Sequence, residues 1–311
     1  MLSTMADLQA LYRDFGIQGI VPYSFQRGGE AYRFLVEKIR WEVPLYLIVS
    51  EVTSVPYLDV MHLGTYAIVC LSEEQAGCLC DKLARRGERT CSVKLMAVGE
   101  KEKIIQHIRD LGAVGVQIED GVFVYIQDLA ETADYDGFRS LDLPLRNAAI
   151  NSALYLLAQK IAAGNAYQHL LLHFFRQIQN GHLLVPVTIA DAAKGTLTKD
   201  DFIVPTMKSE DGYSLVQVFT DTLSFQSACE SDERFQKLFP QRLTYVAEYR
   251  FLSELFAEED GAAVIINPDT ANLSINRSLF LSLEAASIVD ERGKYISGIE
   301  NEDDLIPDFL K

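Results

Sequence analysis

Two histidines four residues apart, His169 and His173 in the run HLLLH, are the first residues here whose spacing could do chemistry. On a helix, positions i and i+4 share a face, so both rings could reach one metal ion. A zinc site needs a third and usually a fourth ligand, and no Glu follows His169 as the HExxH arrangement requires. The three leucines between them predict a strongly buried helix, which makes the pair core or partly exposed histidines. No metal or other cofactor is expected.

The second candidate is Cys78-Leu79-Cys80. On a helix, i and i+2 point to nearly opposite sides, so these sulfurs cannot grip one ion. Cys80 falls on the apolar face, a small core residue. Cys78 falls off it and is the thiol to expect at the surface. The third is Asn267-Pro268-Asp269, which ends an apolar strand. Loops at strand ends carry function, and a ligand contact or a catalytic site near Thr220 and Asn267 is one reading. The other is structural, because a tight turn asks for these same residue types. Gly28-Gly29 and the Gly112, Gly115 pair match neither the P-loop nor the dinucleotide fingerprint. No Gly-x-Ser-x-Gly elbow occurs. No catalytic residue is assigned.

Bulk composition bounds what can position such residues. The 311 residues are 49% hydrophobic and 23% charged, a globular balance with length for two domains. The formal net charge of -16 disfavours nucleic acid and anionic lipid, and fits high solubility or a basic protein partner. The five cysteines, an odd count, argue against a disulfide framework. The start MLSTMADLQALYRDFG is broken by Asp7, Arg13 and Asp14, and predicts no signal peptide. No apolar run reaches the ~18 residues a bilayer span needs. A reducing cytoplasm is the expected location.

The chain repeats itself at long range. PLYLIVSEV followed by SVPYLDVMHLGTYAIVCLSEE matches HLLVPVTI followed by DFIVPTMKSEDGYSLVQVFTDT. Each reads as strand, link, strand, a turn ending in Gly64 or Gly212, and a further strand that enters a helix. Downstream, GAVGVQIEDGVFVYIQDL from Gly112 resembles GAAVIINPDTANLSINRSL from Gly261, two hairpins turning at Glu119-Asp120-Gly121 and Asn267-Pro268-Asp269. The second copy carries an extra stretch, Ala190 to Lys199.

Helical spacing supports the match. Ala76, Leu79, Cys80 and Leu83 form one face, and Phe225, Ala228 and Cys229 repeat it. Ser72 ahead of Glu73, Glu74 and Gln75 reads as a capping box. Pairing Gly112 with Gly261 sets Cys80 on Cys229. Pairing Gly64 with Gly212 instead sets Thr220 in the place of Ser72, one residue out of register. Helical sequence precedes each copy, 30–40 in the first and 145–163 then 167–179 in the second; another helix, LSLEAASIVDE, and an acidic end, IENEDDLIPDF, close the chain. Runs of two or three strands before each helix predict an α+β fold, two tandem similar domains, each a mixed sheet packed with helices. The boundary falls near Asp142, in the polar segment 131–144, giving domains 1-142 and 143-311.

Val185-Pro186-Val187, Gly212-Tyr213-Ser214-Leu215-Val216-Gln217-Val218-Phe219-Thr220 and Ala263-Val264-Ile265-Ile266-Asn267-Pro268, with the helix Ala166 to Gln179 ahead, form one ordered pattern. In these residues the second copy resembles the N-terminal domain of the SseB-type (enhanced serine sensitivity) proteins of bacteria. The likeness spans about 165–283. The first copy departs from it, with Ile48-Val49, Leu71-Ser72 and Ile118-Glu119 at the matching places. The resemblance implies a non-secreted cytoplasmic protein and supplies no catalytic residues. Two readings follow: a non-enzymatic binding or regulatory protein acting through protein–protein interaction, or an uncharacterised hydrolase or sulfur-handling transferase with its site near Thr220 and Asn267. The oligomeric state is not legible.

Overall fold

The computed structural model describes residues 30–41, 44–61, 64–87, 91–97, 99–118, 122–130, 147–164, 168–189, 202–208, 212, 214–231, 233–240, 242–258 and 262–287. Gly28-Gly29, the turn Glu119-Asp120-Gly121, the segment 131–144 with the expected boundary at Asp142, the extra stretch Ala190 to Lys199 and the acidic end lie outside the described residues. The fold is α+β, with mixed sheets packed against helices. It divides into two compact units, Met1–Leu141 with Gln159–Asn165, and Asp142–Ala158 with Ala166–Lys311.

In the first unit, α1 (Glu30–Trp41) leads into β1 (Leu45–Ser50), β2 (Leu58–Met61) and β3 (Gly64–Cys70). Then come α2 (Glu73–Arg85), β4 (Cys91–Met96), α3 (Lys101–Asp110), β5 (Gly115–Ile118), β6 (Val122–Tyr125) and α4 (Ile126–Leu129). The strands form one six-stranded sheet in the order β4-β1-β3-β5-β6, with β2 pairing β3. Only β3 and β5 run parallel. Ser72 caps α2, its Oγ accepting the Gln75 N–H at 3.2 Å, and Gln75 answers through the hydroxyl, its Oε1 accepting from Ser72 Oγ at 3.0 Å. Ala76 and Leu83 are buried, and Leu79 and Cys80 pack partly buried against the same core. Gly115 must lack a Cβ, which would lie 2.4 Å from the Phe123 ring. The ring thereby reaches edge-on contact with Tyr66 and Tyr125.

In the second unit, α5 (Ala148–Ala162, its last residues counting with the first unit) precedes α6 (Gln168–Gln179). The strands are β7 (His182–Ile189), β8 (Phe202–Ile203), β9 (Thr206–Lys208), β10 (Ser214–Val218), β11 (Leu243–Glu248), β12 (Ala262–Ile266) and β13 (Leu273–Asn276). Helices α7 (Thr222–Ser231) and α8 (Glu233–Leu238) follow β10, α9 (Tyr249–Glu258) follows β11, and α10 (Arg277–Ser287) closes the unit. The strand orders are β13-β12-β10-β9 and β11-β7-β8. An antiparallel bridge between Leu184 and Phe219 joins the two sheets, with reciprocal backbone bonds of 2.7 and 2.8 Å.

Strand by strand, the two schemes coincide. The path β4-β1-β3-β5-β6 corresponds to β11-β7-β10-β12-β13, with antiparallel pairs throughout except β3·β5 and β10·β12. The register corresponds residue by residue: Tyr46 faces Cys70 as Leu184 faces Phe219, and Val69 faces Ile118 as Val218 faces Ile266. Among the described residues, β8, α5 and α8 have no counterpart in the first unit.

Two sequence expectations need correction. Thr220 does not cap α7; Asp221 does, its Oδ1 accepting the Ser224 N–H at 2.8 Å. The caps Ser72 and Asp221 thus correspond, and Cys80 and Cys229 each sit eight residues further on. The Gly64–Gly212 register fails because the turns ahead of the two strands differ by a residue. The second correction is that α6 is not buried all round. It buries Leu171, Phe174, Phe175 and Ile178, while His169 and His173 face out and are exposed.

The first residues of α3 and α9 differ. Lys101, 1% exposed, donates to the Ile39 carbonyl in the last turn of α1, where a cation meets the negative end of the helix dipole. Burial lowers its pKa to about 8. At the matching place Tyr249 donates to Glu284 Oε1 at 2.9 Å and stacks on Phe280. Burial, with Glu284 beside it, pushes the phenol up to about 12.

Candidate functional site

Thr220 and Asn267, the proposed enzymatic location, lie together where the parallel strands β10 and β12 end. Both are buried, at 0% and 1% exposure, and Asp221 is 6% exposed. Asn267 takes a positive φ of 47°, which its short polar side chain tolerates. Its Oδ1 accepts the Thr220 N–H at 3.0 Å, and its Nδ2 donates to Thr220 Oγ1 at 2.7 Å and to the Tyr155 hydroxyl at 3.3 Å. Thr220 Oγ1 and Ser224 Oγ both donate to Asp221 Oδ2, at 3.0 and 2.9 Å. Tyr155 also meets Ser224 Oγ and Thr270 Oγ1. Asn147 Nδ2 donates to the Thr220 carbonyl at 2.5 Å and to that of His182.

The cluster is therefore closed on itself. Each polar group spends its capacity on a neighbour in the same unit. Burial, reinforced by Asp221, raises the Tyr155 pKa, so the phenol stays neutral while its oxygen accepts from Asn267 Nδ2. The arrangement ties the start of α7 to the end of β12 and to α5. Asp269, exposed, accepts from Ser231 Oγ at 3.1 Å. In the first unit Leu71 and Ser72 stand at the places of Thr220 and Asp221, and the counterpart of Asn267 falls outside the described residues.

A different location in the second unit is open. A pocket of about 440 Å³ lies between α7 and the strands β7 and β11. Its apolar wall is Leu184, Phe225 and Cys229, all buried. Thr222, Gln226, Thr244, Glu230 and Arg242 supply hydroxyls, an amide and two opposite charges. Gln226, Glu230 and Arg242 are exposed, so the charges sit at the mouth. Among the described residues, neither the Arg242 guanidinium nor the Glu230 carboxylate has an ion-pair partner. Arg242 has a φ of 50°, and its N–H donates to the Phe239 carbonyl at 3.1 Å. Burial raises the Cys229 thiol pKa; Arg242 opposes that rise and Glu230 and Asp269 add to it. The thiol is thus a neutral part of the wall.

The first unit lines the same place with other residues. By strand register, Leu95 faces Tyr46 as Val246 faces Leu184, so Tyr46, Cys91 and Val93 correspond to Leu184, Arg242 and Thr244. Counted from the helix caps, Ala76 and Cys80 correspond to Phe225 and Cys229. Tyr46, Cys80, Cys91 and Val93 pack partly buried against the first unit's core. Between the two units tyrosine is replaced by leucine, cysteine by arginine, valine by threonine and alanine by phenylalanine at this place.

The remaining sequence candidates are scattered. Cys78 is exposed. His169 and His173 share one face of α6, and among the described residues no group of three or more His, Cys, Asp or Glu could hold a metal. No helix among the described residues is long and apolar enough to cross a membrane. Sequence reading missed Arg242, Thr244 and Leu184, whose only signal is departure from the first copy once strand register is known. No protein-family model and no curated protein matches the chain. The solved structure of Anabaena Tic22 (protein transport) is similar at 11% identity over 75% of this chain and 91% of that chain, with a TM-score of 0.21.

Proposed function

We propose that the chain is a non-enzymatic binding or regulatory protein, SseB-like and cytoplasmic, built by duplication of one α+β domain, with its binding site at the α7–β7–β11 pocket. The observation that carries this reading is the difference at one place of two matching units: partly buried side chains packed on the core in the first, and in the second a pocket rimmed by two charges with no ion-pair partner among the described residues. Pockets of this size with an apolar wall and a few convergent polar groups are the usual form of a ligand site. The duplication is supported by the shared strand order and register.

Leu223, exposed and next to Thr222 on α7, extends the apolar surface a protein partner would cover. The charge of -16 favours a basic partner and disfavours nucleic acid. At the alternative location, Thr220, Asp221 and Asn267 are committed to one another, which suits a structural clamp better than a catalytic centre.

Affinity purification of the tagged full chain from its native cells tests this. A stoichiometric partner retained by the native chain and lost on Gln226→Trp, which fills the pocket from an exposed position, is the expected result. Repeated recovery of the bare protein defeats the proposal.

A further inference from the structure

We infer that the pocket of the second unit takes a compact zwitterion with an apolar body, an α-amino acid with a large apolar side chain or a dipeptide of such residues. This rests on the reading of that pocket as a binding site. Three features of the lining carry it. The wall of Leu184, Phe225 and Cys229 offers no charge and no strong acceptor, and matches a hydrocarbon or aromatic body. Arg242 and Glu230 stand at the mouth with opposite charge and no ion-pair partner among the described residues. Each is thus available to a ligand group of the other sign: the guanidinium to a carboxylate, the carboxylate to an ammonium.

The first unit gives the internal comparison. At the place of Arg242 it has Cys91, and at the place of Leu184 it has Tyr46, both packed on the core. The guanidinium and the smaller strand residue appear together in the second unit, where Phe225, in the place of Ala76, adds to the apolar wall. A simple anion would leave the apolar wall wet and face Glu230. A simple hydrocarbon would leave both charges unused. The volume of about 440 Å³ admits a single amino acid with room to spare and a dipeptide more fully.

Calorimetric titration of the full chain tests the inference with five probes: L-phenylalanine, the dipeptide leucylphenylalanine, N-acetylphenylalanine, phenylalaninamide and N-acetylphenylalaninamide. One of the two zwitterions should bind, and which one separates a free amino acid from a peptide source. The uncharged probe should bind roughly 10-fold more weakly or worse, since charged hydrogen bonds are each worth about a factor of ten or more. Arg242→Asn, chosen because Asn tolerates the positive φ, should weaken the zwitterion and the acetylated acid but spare the amide cation. Glu230→Gln should weaken the zwitterion and the amide cation but spare the acetylated acid, and both exposed positions leave the fold intact. Equal binding of the uncharged probe, or indifference to both variants, overturns the zwitterion while leaving the pocket as a binding site. No heat with any probe also overturns it, and the partner experiment then judges the broader reading on its own.

Discussion

Asn267 grips Thr220 from two sides, its Oδ1 accepting the Thr220 backbone N–H at 3.0 Å while its Nδ2 donates to the Thr220 hydroxyl at 2.7 Å. The pair closes the ends of two parallel strands and, through Asp221, fixes the first turn of α7. Asn267→Ala leaves a buried N–H and a buried hydroxyl short of partners and puts a Cβ-bearing apolar residue at a φ of 47°. It should cost about 2–4 kcal/mol. Urea unfolding should show a lower midpoint at unchanged slope. A loss below about 1 kcal/mol would mean the clamp is not what holds these ends.

Gln217 lies in the middle of β10 at 7% exposure, with its Oε1 bonded to nothing among the described residues and its Nε2 only 3.9 Å from the Met207 sulfur. An unpaired buried acceptor carries its full desolvation cost. Gln217→Leu should therefore stabilise the protein by about 1–2 kcal/mol. A fall in stability would point to a hydrogen-bonding role for that amide.

Two glycines should respond in opposite directions. Gly77 lies inside α2, where an added Cβ meets nothing within 4 Å, so Gly77→Ala should stabilise by about 0.5–1 kcal/mol through helix propensity. At Gly115 the same methyl would lie 2.4 Å from Phe123 and 2.5 Å from the Val124 carbonyl. Gly115→Ala should cost about 2 kcal/mol or more, with loss of near-ultraviolet signal from the Phe123–Tyr125 pair. Equal effects at both sites would contradict this packing.

Lys101 titrates at about 8 when folded, against 10.5 for the unperturbed amine. Between those values the unfolded chain holds more protons, so stability should rise with pH across that window. Below pH 8 the folded protein carries the full cost of a buried ammonium; above 10.5 the cost is gone. Lys101→Met has no such term. The stability of the native chain relative to this variant should climb from pH 8 to pH 10, by an amount on the order of 1–3 kcal/mol. A difference that stays flat over that range would refute the assignment.

Thiol accessibility gives a direct check on both helices. Cys78 is exposed, Cys70 and Cys229 are buried, and burial raises the pKa of Cys80 and of Cys229. Native labelling with an aromatic disulfide at pH 8 should modify Cys78 first. Prior reaction at Cys229 would show the pocket wall opening faster than the surface helix reacts.

Periodicity and turn chemistry were enough to read β1, β3, α2 and their counterparts β7, β10 and α7, because they are local properties, while β4, α3, β11 and α9 went unread. Ala76, Leu79, Cys80 and Leu83 mark the buried face of α2 whatever it packs on. Ser72 and Gln75 read as a helix cap from their spacing alone. The match of Cys80 with Cys229 is likewise written in the chain, and the caps at Ser72 and Asp221 fix which of two registers is right. Asn267 was visible as a polar residue ending a strand, and its two readings could not be separated on that basis.

Tertiary structure decided the rest. Whether Asn267 faces solvent or Thr220 depends on the pairing of β10 with β12, residues 48 apart in the chain. The outward turn of His169 and His173 depends on which face of α6 meets the core, and the burial of Lys101 on α3 meeting the end of α1. The pocket needs Leu184, Phe225, Arg242 and Thr244, contributed by β7, α7, the lead into β11 and β11 itself. Nothing in the order of residues brings these four together. Long-range strand pairing does, and it places a guanidinium and a carboxylate at the mouth of an apolar wall.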